Sequence, residues 1–230
     1  MTSLYENLRR PWASWPMDMK NHDPTNYLVR DASGNGRHLT IGDGAGGGAP
    51  RKLTGRSGYS GGRYNGGYLT RANETWASSV ITMEIMLDVQ APDLGYMFSF
   101  EDPSQVDGTV VGIFFVYKTG MYLRFATNAT NIAQAATWTL NPVIPVTHLV
   151  GRYDGSNTDL FVNGKLIEQA PTPLPVYNGN GLEISLFSRS LVGTDIRQSN
   201  IYSAAIWDVA LTNIEIQELS NRAHRKLAQI

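Results

Sequence analysis

The stretch from Thr147 to Gln169, THLVGRYDGSNTDLFVNGKLIEQ, leaves little choice of fold class. Its first run, His148-Leu149-Val150-Gly151-Arg152-Tyr153, stops at the turn-forming Asp154-Gly155-Ser156-Asn157. A second run, Thr158 to Val162, stops at Asn163-Gly164, and Lys165 to Glu168 follows. Asn-Gly between two such runs specifies a type I′ hairpin, because both residues tolerate positive φ. Two hairpins in succession make an antiparallel meander, and the chain is expected to be all-β.

Other segments agree. In Val80 to Val89, Ile81, Met83, Ile85, Leu87 and Val89 alternate with Thr82, Glu84, Met86 and Asp88, as a strand with one buried face requires. The first set is expected to face a core between two sheets, and the second to line an outer or concave sheet face. Tyr96–Glu101, Val110–Tyr117, Met121–Ala126, Glu183–Phe187 and Ile201–Trp207 read as further strands, which together suit a two-sheet sandwich. Pro171, Pro173 and Pro175 mark a crossover loop. One helix is expected at the C-terminus. Thr212-Asn213-Ile214-Glu215 is a capping box, and Ile216, Leu219, Ala223 and Leu227 fall on one stripe.

The rest of the chain is less regular. Residues 1–26 hold Pro11, Pro16 and Pro24 with Trp12 and Trp15, lack alternation, and read as an extended arm. Its tryptophans should bury against the body of the domain or against a neighbouring subunit, and Trp12 and Trp15 are the candidate partner-binding residues. Residues 42–67 are the glycine-rich stretch and read as a long loop that is costly to order. The expected division is an arm (1–26), a sandwich (27–212) and a helix (213–230) packed on or beside it.

At 230 residues the chain suits one large β domain with a real core. Lys+Arg number 19 and Asp+Glu 20, a net charge of −1, so no global field draws it to nucleic acid or to a membrane surface. It has no cysteine, which favours assembly in the cytosol or indifference to redox state. The first residues show no apolar run of signal-peptide length, and no window approaches the ~18 apolar residues of a membrane span.

The meander resembles the motif of laminin G-like, concanavalin A-like domains, in which a strand ending in Tyr-Asp-Gly leads to one ending in Asn-Gly-Lys. Asp31-Ala32-Ser33-Gly34-Asn35-Gly36 resembles the family's opening "D-x-S-G-N-G" segment, and Ile206 to Ile216 its closing strand and "A-L-T/S-x-x-E-I" exit. The resemblance runs from about residue 27 to about residue 220. It implies a jelly-roll sandwich of two antiparallel sheets. It leaves function open, since the family includes lectins, adhesion modules, hydrolases and virion proteins.

Candidate chemistry is sparse. Glu84 and Asp88 share a strand face, but four residues at ~3.3 Å each separate them by ~13 Å, beyond the ~5 to 9.5 Å of a glycosidase carboxylate pair. Gly58-Tyr59-Ser60-Gly61-Gly62 matches Gly-x-Ser-x-Gly without the strand and helix of a nucleophile elbow, and Gly44 to Ala49 matches a nucleotide-binding glycine pattern without a following helix. His22, His38, His148 and His224 show no zinc spacing. Calcium is a fairer question, with Asp154, Asn157, Asp159, Asp102 and Asp107 as candidates by composition, although a turn explains Asp154 by itself. No catalytic residue, metal ligand or cofactor is assigned. Tyr59, Tyr64, Trp76 and Trp138 are the candidate carbohydrate-stacking platforms, with Tyr68 beside them.

A lectin-like fold without an export signal points to a protein that leaves the cell inside something else, such as a phage particle. The expected function is a non-enzymatic virion protein, decorating the capsid or sitting on the tail. Its expected partners are other virion proteins or copies of itself, with host-surface glycans as a further candidate, and neither nucleic acid nor membrane insertion is expected. A lectin module and a glycoside hydrolase of the same fold are the alternatives.

Overall fold

The computed structural model describes residues 9–42, 51–52, 58–61, 68–91, 95–104, 110–117, 122–127, 136–139, 144–172, 176–187 and 198–228. Its strands in chain order are β1 (Ala13–Pro16), β2 (His22–Asp23), β3 (Leu28–Val29), β4 (Leu39–Gly42), β5 (Arg51–Lys52), β6 (Tyr59–Gly61), β7 (Tyr68–Trp76), β8 (Ile81–Ala91) and β9 (Gly95–Glu101). There follow β10 (Val110–Tyr117), β11 (Tyr122–Ala126), β12 (Ala136–Thr139), β13 (Ile144–Tyr153), β14 (Asn157–Val162), β15 (Lys165–Pro171), β16 (Gly179–Leu186) and β17 (Gln198–Trp207). The helix α1 (Asn213–Ala228) ends the chain.

Two antiparallel sheets result. One has the order β15-β14-β13-β8-β17-β6-β5, with β1 also on β17, and is called here the helix-side sheet. The other, the far sheet, has the order β12-β11-β10-β9-β16-β7-β4-β3-β2. Non-consecutive neighbours such as β8 and β17 are the crossovers of a jelly roll, and the expected all-β sandwich is the fold found.

The meander forms as read. β13 pairs β14 and β14 pairs β15, and Asn163 and Gly164 take φ of 51° and 79°, the left-handed pair of a type I′ turn. Asp154 accepts the backbone N–H groups of Ser156 (2.9 Å) and Asn157 (2.8 Å). Burial alone would raise its pKa, but these bonds and one from the Asn157 side chain outweigh it and hold Asp154 below the usual carboxylate range. Asp159 instead accepts Arg152 Nε and Nη2 at 2.8 and 2.5 Å. Among the described residues no group of three His, Cys, Asp or Glu could hold a metal ion.

The core between the sheets takes Ile81, Met83, Ile85 and Leu87 from one side, and Leu69, Phe98, Phe100, Phe114, Phe125 and Ile184 from the other. Gly151 in β13 leaves the space that the Phe125 ring fills from across the sandwich. A second apolar layer, with Val150, Phe161, Ala205, Trp207, Leu211, Ile216 and Leu219, lies between the helix-side sheet and α1. The capping box closes as read, Thr212 N–H donating to Glu215 Oε2 (2.7 Å) and Glu215 N–H to Thr212 Oγ1 (3.2 Å).

Two expectations are corrected here. The first concerns the arm. Ala13 to Pro16 is a strand, β1, paired with β17, and Trp15 is wholly buried in the central core. Trp12 packs on Trp76 and Phe100, with ring centroids at 5.3 and 5.5 Å, and the Arg37 guanidinium lies 3.7 Å from its ring. Both tryptophans bury against the body of the same domain, Trp15 wholly and Trp12 in part. Asp31 secures the strand by accepting Ser14 N–H (3.0 Å), Ser33 N–H (2.8 Å), Ser33 Oγ–H (2.7 Å) and Arg37 N–H (3.0 Å).

The second correction concerns the polar positions of β8, which were expected on an outer or concave face. They lie instead beneath α1 and the segment leading into it. Thr82 Oγ1 bonds the Val209 carbonyl and the Leu211 N–H. Glu84 lies 3.2 Å from His148 Nε2 with both side chains fully buried. Asp88 accepts Asn200 Nδ2 (2.9 Å) and the Tyr202 hydroxyl (2.6 Å). Among the described residues no helix is long and apolar enough to cross a membrane.

Candidate functional site

With α1 over the helix-side sheet, the outward face of the far sheet remains, buried at Ser99, Glu101 and Ser185 and exposed toward its β2–β3–β4 edge. Its register builds a row of residues across successive strands. Asp23 opposes Leu28, Leu28 opposes Thr40, Thr40 opposes Thr70, Thr70 opposes Ser185, and Ser185 opposes Ser99. Directly opposed residues share a face, and the adjacent positions Val29, Leu39, Leu69, Leu186 and Phe98 are core residues. The row therefore points away from the core. It runs from exposed Thr40 through half-buried Thr70 to Ser185 and Ser99, which are buried.

At the outer end of the row stands Tyr27, at the tip of the β2–β3 hairpin. It is exposed, at 64%, alone among the aromatics whose side chains are described. Its φ is +53°, a left-handed conformation that costs a non-glycine residue ~1–2 kcal/mol. The carbonyl of Tyr27 accepts Ile41 N–H (2.8 Å). Asp23 caps the same turn, accepting Asn26 N–H (3.1 Å), Asn26 Nδ2 (3.0 Å) and Arg30 Nη2 (2.9 Å). The Arg30 guanidinium, followed by the Asn26 bonds, holds the Asp23 carboxyl well below the usual carboxylate range. Tyr27, Asn26 and Arg30 thus belong to the β2–β3 hairpin at this edge, and Thr40 and Thr70 to the next two strands inward.

A second feature of this face is a carboxylate pair. Glu183 of β16 opposes Glu101 of β9 directly. Burial and then the neighbouring Glu101 raise the Glu183 pKa, against a Ser185 hydroxyl bond that lowers it. Opposed β residues have Cβ atoms ~4.5–5.5 Å apart, close to the separation in a retaining glycosidase. Glu101, however, is fully buried.

The residues singled out from sequence fare unevenly as stacking platforms. Trp76 is only 2% exposed and packs edge-on against Phe100, which removes it as a platform. Tyr59 lies on β6 and Trp138 on β12, in different sheets. Tyr64 and Asp107 lie outside the described residues, as does most of the glycine-rich stretch. Gly58 to Gly61 leads into strand pairing with β5 and β17, not into a nucleophile elbow. Sequence reading missed Tyr27, whose one local signal is the turn-rich Asp23-Pro24-Thr25-Asn26 before it.

A family model described as the concanavalin A-like lectin/glucanases superfamily matches residues 60–217. The chain belongs to that superfamily. No curated protein matches it. Among solved structures, this concanavalin A-like sandwich is similar to the binding domain of botulinum neurotoxin DC in complex with rat synaptotagmin II, with TM-score 0.65, 10% identity, and coverage of 93% of this chain and 52% of that one. Domain 4 of AbnA, an extracellular GH43 arabinanase from Geobacillus stearothermophilus in complex with arabinotriose, matches with TM-score 0.63 and 14% identity over 92% of this chain and 98% of that one. A Trypanosoma rangeli sialidase matches with TM-score 0.63 and 12% identity over 96% of this chain and 33% of that one. The chain spans about half the length of the toxin domains. At such identities the likeness is one of fold.

Proposed function

We propose that this concanavalin A-like sandwich is a non-catalytic recognition domain that binds glycans on the outward face of the far sheet, at the β2–β3–β4 edge. The observation that carries the reading is Tyr27, an exposed aromatic on strained backbone beside a registered row of hydroxyls. Strain held at a solvent-exposed position is a recurrent mark of functional sites. A ring standing in water can stack on a sugar face, while Arg30, Asn26, Thr40 and Thr70 supply donors and acceptors for its hydroxyls. The arabinotriose-bound arabinanase domain lends support as a sandwich of this fold that holds a saccharide. On a virus particle the same face would hold host-surface glycans, so the virion setting adds neighbours without changing the site.

The non-catalytic part of the proposal leans on the burial of Glu101, which leaves the Glu183 partner without a reachable second carboxylate. A glycan array followed by calorimetry tests the whole. Tyr27→Ala is expected to weaken binding tenfold or more, about 1.4 kcal/mol, while Tyr27→Phe retains it. Binding indifferent to Tyr27→Ala, or release of reducing sugar that is lost in Glu183→Gln, would overturn the reading.

A further inference from the structure

Resting on the glycan-binding reading above, we infer that the site takes a chain of linked sugars and not a single terminal sugar, with Tyr68 as its second stacking ring. β4 lies between β3 and β7, and the two tyrosines flank it at the same end. Tyr27, just ahead of β3, accepts Ile41 N–H through its carbonyl (2.8 Å). Tyr68 opens β7 and opposes Gly42, the next residue of β4. Leu69 is a core residue, so alternation turns Tyr68 to the outward face together with Thr70. There the Tyr68 side chain is half-buried.

Gly42 decides how that ring lies. A Cβ at position 42 would stand 2.7 Å from Tyr68 Cε2 and 3.1 Å from its Cζ. The ring therefore leans across the gap between strands, onto backbone that only a glycine leaves open, as aromatics paired with a cross-strand glycine do. Tyr27 is placed by its backbone instead. Strict alternation from Leu28 and Val29 would send position 27 to the core side, and the φ of +53° breaks that alternation and leaves the residue 64% exposed. From β3 to β7 is two strand spacings, so the two aromatic positions stand about 10 Å apart, wider than one sugar ring. Thr40, exposed, and Thr70, half-buried, follow on the same outward face. One sugar can stack on one ring only, whereas a chain of about three spans that distance and passes the threonine hydroxyls.

An array carrying cello-, xylo-, arabino- and galacto-oligosaccharides, each from the monosaccharide to the hexasaccharide, reads the length dependence. In the series that binds, affinity is expected to climb about tenfold or more from monosaccharide to trisaccharide and then level off. Tyr68→Ala should flatten the climb, and Tyr68→Phe should keep it. Gly42→Ala retains the tyrosine but pushes its ring aside, and should flatten the climb as Tyr68→Ala does, with thermal melts showing that each variant is folded. A monosaccharide bound as tightly as its trisaccharide would overturn this inference and leave the recognition reading standing. A climb unchanged in Tyr68→Ala would do the same, since Tyr68 would then be no more than a cover for Gly42. Binding to no member of any series would overturn both.

Discussion

Asp31→Ala should cost this protein a large part of its stability, although the residue lies in a loop. The carboxylate is buried and accepts from Ser14, Ser33 and Arg37 backbone N–H groups and from the Ser33 hydroxyl, at 2.7 to 3.0 Å. Ser14 is fully buried in β1, and its N–H has no water to turn to once the acceptor is removed. A buried donor left unsatisfied costs ~1–3 kcal/mol, and bonds to a charged acceptor lie at the upper end. Counting the Ser14 and Arg37 groups at ~1.5–2 kcal/mol each, and allowing ~1 kcal/mol for Ser33, gives a loss of ~4–5 kcal/mol. That is about a quarter or more of the ~5–15 kcal/mol of an ordinary domain. Urea denaturation followed by tryptophan fluorescence reads it, since Trp15 Nε1 donates to the Arg37 carbonyl at 2.6 Å in the same cluster. The midpoint should fall by more than ~1 M for a slope of ~2–3 kcal/mol/M. Ser33→Ala removes the hydroxyl donor to Asp31 and the acceptor of Asn35 N–H (3.3 Å); Asn35 is exposed, so water can replace that bond and the cost should be only ~1 kcal/mol. A loss below ~1 kcal/mol in Asp31→Ala would refute the view that this loop holds β1 in the sandwich.

Two further outcomes follow from packing and charge. Gly151→Ala drives a methyl group into the Phe125 ring, and thermal unfolding should show a loss of ~1–3 kcal/mol from overpacking. Glu183→Gln should stabilise the fold in a pH-dependent way. The folded-state pKa of Glu183 is raised by burial and by Glu101, so the folded state binds its proton more tightly than the unfolded chain does. The penalty is absent below the unfolded value of about 4.3 and grows as pH rises through the folded value. The variant should therefore be more stable than the wild type at neutral pH, with the gap closing as pH falls. A gap that widens on acidification in paired urea titrations would refute the assignment.

What the sequence made legible and what it hid divide along one physical line. The meander, the Asn163-Gly164 turn, the alternation of β8 and the Thr212–Glu215 box are set by neighbours within a few residues, and all are found as read. β1 was hidden because its partner, β17, lies almost the whole chain away. A strand of four residues that ends on Pro16 also carries too short a period to register. The left-handed backbone of Tyr27 leaves no mark on composition, so the exposed aromatic that defines the candidate site could not be told from the other tyrosines of the sandwich.

Glu84 shows the same limit from the other side. Its period along β8 correctly places it opposite the core, and from that alone it reads as solvated or as one half of a catalytic pair. The helix that covers it begins far down the chain, at Asn213. Once covered, a carboxylate must find a partner or lose its charge, and Glu84 has found His148. Period thus tells which way a strand residue points, while function depends on what lies over it. On the helix-side sheet the cover is α1, and polar residues there serve packing. On the far sheet the β2–β3–β4 edge stays in contact with solvent, which is why the proposed recognition site lies there.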